Sequence, residues 1–270
     1  MVGIRILGLL GNHLFQIAFL YNLKKKFGYK TFIEYGNGRM NKPRVEKYFD
    51  IAGYNFWTNK LLQFWYTKIV KLKYIDLNSE LSPEENIAHI TENCIYNGFV
   101  QSEQYFSDLN ESIKDIFKIK KKYINEFQLK YGKYFNLDKK SIVVHLRRGD
   151  YNETGWVLPL SYYQSAFECI NDISKYNIIF VSDDIEFVKE KFTQFSAAVF
   201  ICDSEIIDFQ IIKNADIAII ANSSFSWWAA YLNEKTDKVI YAPKNWLGFK
   251  ENKEHPVGIM SVNWNWLEVN

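Results

Sequence analysis

The sequence predicts an α/β protein with a doubly wound parallel sheet, and three observations carry that prediction. After residue 140, short apolar β-branched runs alternate with helical stretches, the pattern of repeated β-α units. Within Ser141 to Tyr151, which reads SIVVHLRRGDY, the run Ile142, Val143, Val144 and Leu146 marks a buried strand that ends in charge. At its start the chain also reads as a strand, a glycine turn and a helix.

In the first half, Val2 to Leu9 reads as a strand and Gly8 to Asn12 as a turn. His13 to Phe27 is a helix with Asn12 as N-cap and Gly28 as C-cap. Free amides at such a helix start can hold an anion, although the glycine spacing is not GxGxxG. Lys30 to Tyr35 and Asn93 to Phe99 are further strands, and Asn41 to Tyr74 is irregular. Within it, Phe56 to Tyr74 mixes aromatics with Lys60, Lys68, Lys71 and Lys73 as a basic, aromatic helix. Two readings stand for it: a core helix with snorkelling lysines, or a surface that touches lipid or sugar. Gln104 to Tyr131 is helical, and Gly132 to Lys140 is the best linker.

In the second half, strands are expected at 141–147, 177–182, 197–202, 216–221 and 238–242. Helices fall between them at 161–172, from Asp183 or Asp184 to 192, 204–214 and 224–233. A buried strand bursting into charge at its C-terminal end marks a ligand crevice in an open α/β sheet. Arg147 and Arg148 there suit an anion, since guanidinium matches phosphate or carboxylate in a two-pronged fashion. Alternation puts His145 and Arg147 on one side and Arg148 on the other. Arg147 is therefore read as a ligand group and Arg148 as half of an ion pair, with Asp150 a candidate partner. A second polar strand end, Asn222, Ser223, Ser224 and Phe225, opens the helix at 224–233. Its hydroxyls and first-turn amides would face the same crevice, besides capping the helix. Asp208 is either an exposed helix acid or a carboxylate that reads a purine.

Composition sets the bounds. At 270 residues the chain is one large domain or two of about half that length. Hydrophobic residues at 48% and aromatics at 17% suffice for a core, and a net charge of +2 does not call for nucleic acid. Cys94, Cys169 and Cys202 are scattered without metal spacing. Cys169 and Cys202 lie in apolar contexts and are expected as buried free thiols of a reducing compartment. Met1 to Leu10 is too short for a signal peptide and no run of 18 apolar residues occurs. The expected location is cytoplasmic, at most peripheral at the inner face of the membrane.

Four blocks in order resemble the α-1,2-fucosyltransferases, chiefly the bacterial ones: Gly11-Asn12-His13-Leu14-Phe15-Gln16, His145 to Tyr151, Ser182-Asp183-Asp184, and Ile219 to Ala230. Only 41 to 135 lacks a recognisable motif. One departure is His13, where the family usually has glutamine. The resemblance implies a GT-B arrangement of two facing Rossmann-like doubly wound domains. An acceptor-side domain would span 1–138 and a GDP-fucose-binding domain 139–270. It also implies inverting, metal-independent transfer of L-fucose from GDP-fucose to the 2-hydroxyl of a galactoside, in surface glycan synthesis and with no cofactor beyond the donor. Arg147 and the amides near Ser223 and Ser224 would stabilise charge on the leaving phosphate. His145 and Asp208 would contact guanine, with Asn222 and Phe225 in the same donor site. Asn12 would approach phosphate or sugar, and Asp150, Glu153 and His13 are candidate bases. Alternatives are a fucosyltransferase of another linkage and a non-catalytic GDP-sugar or glycan-binding protein. A kinase would need a GxxxxGK[ST] loop, which is absent.

Overall fold

The structure is a computed structural model that describes residues 1–36, 43–109, 112–135 and 139–270. The chain separates into two units, Met1–Lys120 with His255–Ser261, and Lys121–Glu254 with Val262–Asn270. This division falls ahead of the expected 138/139 boundary. The helix Lys121–Tyr131 packs against the helix Glu205–Lys213, where Gln210 Nε2 donates to the Tyr123 carbonyl at 3.0 Å. Residues 136–138 of the expected linker lie outside the described residues.

The first unit holds strands β1 (Val2–Arg5), β2 (Thr31–Glu34), β3 (Phe49–Ile51), β4 (Lys73–Asp76), β5 (Cys94–Asn97) and β6 (Phe117–Ile119). Four of them form a parallel sheet in the order β2-β1-β5-β4, and β3 and β6 make a separate antiparallel pair. The helix Leu10–Phe27 is buried along most of its length, and its exposed end carries Lys24, Lys25 and Lys26. Those cations suit the negative end of the helix dipole, and Gly28 closes the helix at φ +67°. Phe19 anchors the helix through edge contacts with Tyr96 and Tyr105, with centroids 6.0 and 5.6 Å apart. The expected helix over 56–74 is shorter. It runs from Phe56 to Phe64, continues as a π-type turn over Trp65–Ile69, and gives way to β4.

The second unit holds β7 (Ser141–Leu146), β8 (Asn177–Ser182), β9 (Val199–Ile201), β10 (Ile217–Ile219), β11 (Val239–Pro243) and β12 (Asn265–Leu267). All are parallel, in the order β12-β11-β10-β7-β8-β9. The first strand of this unit is therefore central, with the next two on one side and the following three on the other. That is a doubly wound sheet whose order reverses between β7 and β10. Every residue of β7 is buried. Ile142, Val144 and Leu146 pack into an aromatic-rich core with Tyr162, Tyr163, Phe167, Phe180 and Phe192, on one face of the sheet. Val143 and His145 therefore take the other face. The helix Ser224–Tyr231 is apolar nearly all round and carries Trp227 and Trp228 fully buried, as a helix sunk in a core must be. Cys94 is buried, but Cys169 and Cys202 are exposed, contrary to expectation. Their apolar sequence neighbours enter the core while the thiols fall on the outer side of element ends.

Candidate functional site

The second unit places the predicted donor residues at the switch point, where ligands bind in open α/β sheets. β7 delivers His145, Arg147 and Arg148, and the loop after β10 delivers Asn222, Ser223 and Ser224. The register of β7 with β8 pairs Leu146 with Ser182, so the next residues on each strand, Arg147 and Asp183, come level. Arg147 Nη1 lies 2.7 Å from Asp183 Oδ2 and its Nη2 lies 2.8 Å from Asp150 Oδ1. Arg148 turns the other way. Its Nε donates to Asp184 at 3.1 Å, its guanidinium carbon sits 3.3 Å from the Phe187 ring centre, and its backbone N–H donates to Asp183 at 2.9 Å. Both arginines are therefore paired: Asp183 and Asp150 hold Arg147, and Asp184, rather than the expected Asp150, holds Arg148. The Asp183-Asp184 pair faces guanidinium groups, and Asp184 also caps the helix Ile185–Lys191 by accepting from Phe187 N at 3.4 Å.

His145 is buried, and burial drives its imidazole down to about pKa 3, with the nearby Arg147 charge acting in the same direction and Asp183 against it. The ring is neutral at pH 7. Its centroid lies 5.8 Å from that of Phe225, which in turn meets Phe209 at 5.5 Å. One aromatic contact chain therefore links His145 to the helix that carries Asp208. Desolvation raises Asp208 to about pKa 7, helped by the charges of Asp203 and Asp183 and opposed by an N–H of Asp203 that donates to it at 3.1 Å. It is a half-buried acid rather than an exposed one.

Asn222 is buried and donates from Nδ2 to the Trp156 carbonyl at 3.0 Å, while the Tyr151 hydroxyl donates to the Asn222 carbonyl at 3.1 Å. His145 Nδ1 and Asn222 Oδ1 are both buried, and neither has a hydrogen-bond partner among the described residues. A native fold leaves few such atoms unpaired, because each costs about 1–3 kcal/mol. Ser223 is the N-cap of Ser224–Tyr231 yet makes no capping bond with its side chain, so the first-turn amides are left to other acceptors. Tyr151 and Trp156, absent from the expected site, brace it. The Tyr151 ring lies 5.7 Å from the Arg147 guanidinium, and desolvation pushes its phenol up to about pKa 12. Their signal in the sequence was proximity to the Arg-Arg-Gly-Asp turn. Asp150 and Glu153 are exposed around that turn.

In the first unit the reversal comes earlier than expected. The helix starts at Leu10 with extended Leu9 as N-cap, and Asn12 and His13 lie in its first turn. Gly8 makes the turn at φ +81°, where an added Cβ would meet Asn12 Nδ2 at 2.2 Å. His13 is buried with Nε2 3.0 Å from the Gly8 carbonyl, so it holds the turn and is not presented as a base. Gln16 accepts from Leu7 N at 3.1 Å and donates to the Gly98 carbonyl at 2.8 Å, tying the ends of β1 and β5. Asn12 is half-buried and accepts from Gln101 at 2.6 Å. No group of three or more His, Cys, Asp or Glu among the described residues is placed to hold a metal ion, and no helix among them is long and apolar enough to cross a membrane.

The parallel sheet with ligand-ready strand ends belongs to the GT-B-like glycosyltransferase folds. The fucosyltransferase NodZ from Bradyrhizobium superimposes with a TM-score of 0.57 at 14% identity, over 86% of this chain and 93% of that one. POFUT1 in complex with GDP-fucose gives 0.53 at 13% identity, over 89% and 96%. Residues 1–268 match glycosyl transferase family 11, and the chain belongs to that family. Two similar proteins, both from Escherichia coli, are the O-antigen biosynthesis glycosyltransferase WbnK and an alpha-1,2-colitosyltransferase. They are 26% and 28% identical, over 88% and 92% of this chain and 92% of each relative.

A pH prediction follows for His145. An imidazole at about pKa 3 in the fold and ~6.5 when unfolded binds more protons unfolded between those values. It therefore contributes stability that is complete above pH ~6.5 and is lost as pH falls toward 3. Denaturant melts of wild type and His145→Gln should converge as pH drops from 7 to 4; a constant gap would remove His145 from this role.

Proposed function

We propose that this chain transfers L-fucose from GDP-fucose to the 2-hydroxyl of a galactoside with inversion, in surface glycan synthesis. The observation that carries this reading is the pair of buried, unpaired polar atoms, His145 Nδ1 and Asn222 Oδ1, on either side of the switch point. Family membership supports glycosyl transfer. NodZ structures with GDP and GDP-fucose, together with the POFUT1 complex, support the donor; the colitosyltransferase relative supports the 1,2 linkage, whereas NodZ is an α-1,6 enzyme. In this reading the second unit binds the donor and the first carries the acceptor.

Breaking the sugar–phosphate bond through an oxocarbenium-like state gathers charge on the β-phosphate. Arg147 and the uncapped amides at Ser224 and Phe225 stabilise it, which is electrostatic catalysis by preorganised donors. Arg147 is oriented for this by Asp183 and Asp150. Asp208 accepts from N1–H and N2–H of guanine, and neutral His145 with Phe225 lies on the same side of the sheet. Asp150 or Glu153 takes the acceptor proton. No metal takes part, since Arg147 and a helix terminus supply the positive charge.

Incubation with GDP-fucose and a panel of galactosides in EDTA, followed by linkage analysis, tests the reaction. A new α-1,2-fucosyl product is expected; GDP binding without turnover on any acceptor would instead mark a binding protein.

The two arginines should separate in paired measurements of turnover and thermal midpoint. Arg147→Lys keeps the charge, loses the two-pronged geometry, and should cost about 10²-fold or more in turnover with a normal midpoint. Arg148→Lys loses the Asp184 bond and the Phe187 stack, and should lower stability by about 1–2 kcal/mol while retaining turnover. Swapped results would reverse the assignment.

Asp208 reads guanine only when ionised, and burial holds it protonated below about pH 7. GDP affinity should therefore fall about tenfold per unit as pH drops below 7 and level off above it, the slope of one linked proton. Titration calorimetry of Asp208→Asn should show weaker GDP binding, a narrower gap to ADP and no such slope. Unchanged binding of both nucleotides would take Asp208 out of the site.

A further inference from the structure

The helix Phe56–Phe64 is built inside out. Two of its inward side chains are polar: Asn59 accepts from Ile33 N at 2.7 Å and donates to the Ile33 carbonyl at 2.9 Å. One turn on, Gln63 accepts from Tyr35 N at 3.4 Å and donates to the Tyr35 carbonyl at 2.8 Å. These amides dock on the free backbone edge of β2, which lies at the border of its sheet. Because Asn59 and Gln63 occupy the inner face, the residues at helical spacing opposite them must point outward. These are Trp57, Leu61 and Phe64, at 69%, 72% and 59% exposure, and Trp65 follows at 53%.

We propose that this face binds the surface of an anionic lipid bilayer, lying in the plane of the headgroups. Charge selects this occupant. Between Asp50 and Asp76 the sequence has no acid and four lysines, Lys60, Lys68, Lys71 and Lys73. None of the four has a carboxylate partner among the described residues, and Lys60 lies 5.6 Å from the Trp57 ring centre. Tryptophan at the headgroup level with lysines around it is the composition of an interfacial helix, and polybasic segments are drawn to anionic leaflets. A second copy of this chain fits worse, because a two-fold contact would set lysines against lysines. A soluble glycan fits worse too, because the amides that could read hydroxyls, Asn59 and Gln63, are already bound to β2.

The test mixes the full chain with vesicles of phosphatidylglycerol and phosphatidylethanolamine, or of phosphatidylcholine alone, and reads co-sedimentation. Wild type should sediment with the anionic vesicles, bind phosphatidylcholine about tenfold more weakly or worse, and be released by salt. Leu61→Asp with Trp65→Asp should remain in the supernatant with an unchanged thermal midpoint, since both side chains are exposed. Lys60→Gln with Lys68→Gln and Lys71→Gln should weaken anionic binding and flatten its salt dependence, and this variant decides the matter if the first fails to fold. Wild type left in the supernatant, equal binding to both vesicle types, or full anionic binding by the variants would overturn the proposal. So would a concentration-dependent dimer, or galactoside capture, abolished by the same substitutions while vesicles are ignored.

Discussion

The second unit depends on one constraint: a strand buried along its whole length must end by presenting two guanidinium groups. β7 has no exposed residue, so its C-terminal end emerges from the sheet interior with little water to receive charge. The neighbouring strand meets this demand with two consecutive acids, Asp183 for Arg147 and Asp184 for Arg148. Removing one partner of such a pair would leave an uncompensated charge near a low-dielectric core, which costs more than the pair itself contributes. The parallel register also fixes which arginine meets which acid. Alternation then sends Arg147 to the face that carries His145 and Arg148 onto the Phe187 ring.

The same interior sets the protonation of the two residues read as guanine contacts, in opposite directions. Burial lowers the imidazole of His145 and raises the carboxyl of Asp208, and both shifts favour the neutral form. This face carries a neutral ring, an acid that burial raises to about pKa 7, and the cation Arg147, itself flanked by carboxylates. In the proposed reading the ligand brings hydrogen-bond donors for Asp208 and a phosphate that competes for Arg147 with its two carboxylates. The orphaned Nδ1 of His145 and Oδ1 of Asn222 add a demand for polar partners that the protein leaves unmet.

What the sequence made legible follows from how strongly one force dominated each segment. β7, β8 and the Asn222-Ser223-Ser224 turn were readable because burial writes an apolar run and the strand end writes an abrupt polar stop. β4 was not, because three of its four residues are exposed and it carries no apolar alternation, so the expected helix over 56–74 runs into its first two residues. The first turn was misplaced by a few residues because Asn12 looks like a cap. The reversal is in fact made by Gly8, whose positive φ leaves no trace in hydrophobic pattern. His13 is a candidate base only by resemblance; burial and the Gly8 carbonyl give it a structural task. The polar-looking helix Lys121–Tyr131 falls within the second unit because it is tied there by the Tyr123 carbonyl to Gln210 and by Lys130 and Tyr131 to Asp203.

The helix at the edge of β2 shows why hydrophobic pattern alone could not choose between its two readings. An amphipathic helix is ordinarily oriented by its apolar stripe, which seeks the core. Here the element to be covered is a strand edge, and an edge demands hydrogen-bond partners, not apolar surface, because its N–H and C=O groups are otherwise unpaired. Asn59 and Gln63, four residues apart on the helix, match Ile33 on the strand and Tyr35 just beyond its end, and each amide side chain takes a donor and an acceptor at once. Four backbone groups satisfied in this way fix the rotation of the helix. Once the rotation is fixed, the tryptophans, leucine and phenylalanine on the far side have no route to the interior. The exposed apolar face is thus the geometric consequence of a polar clamp.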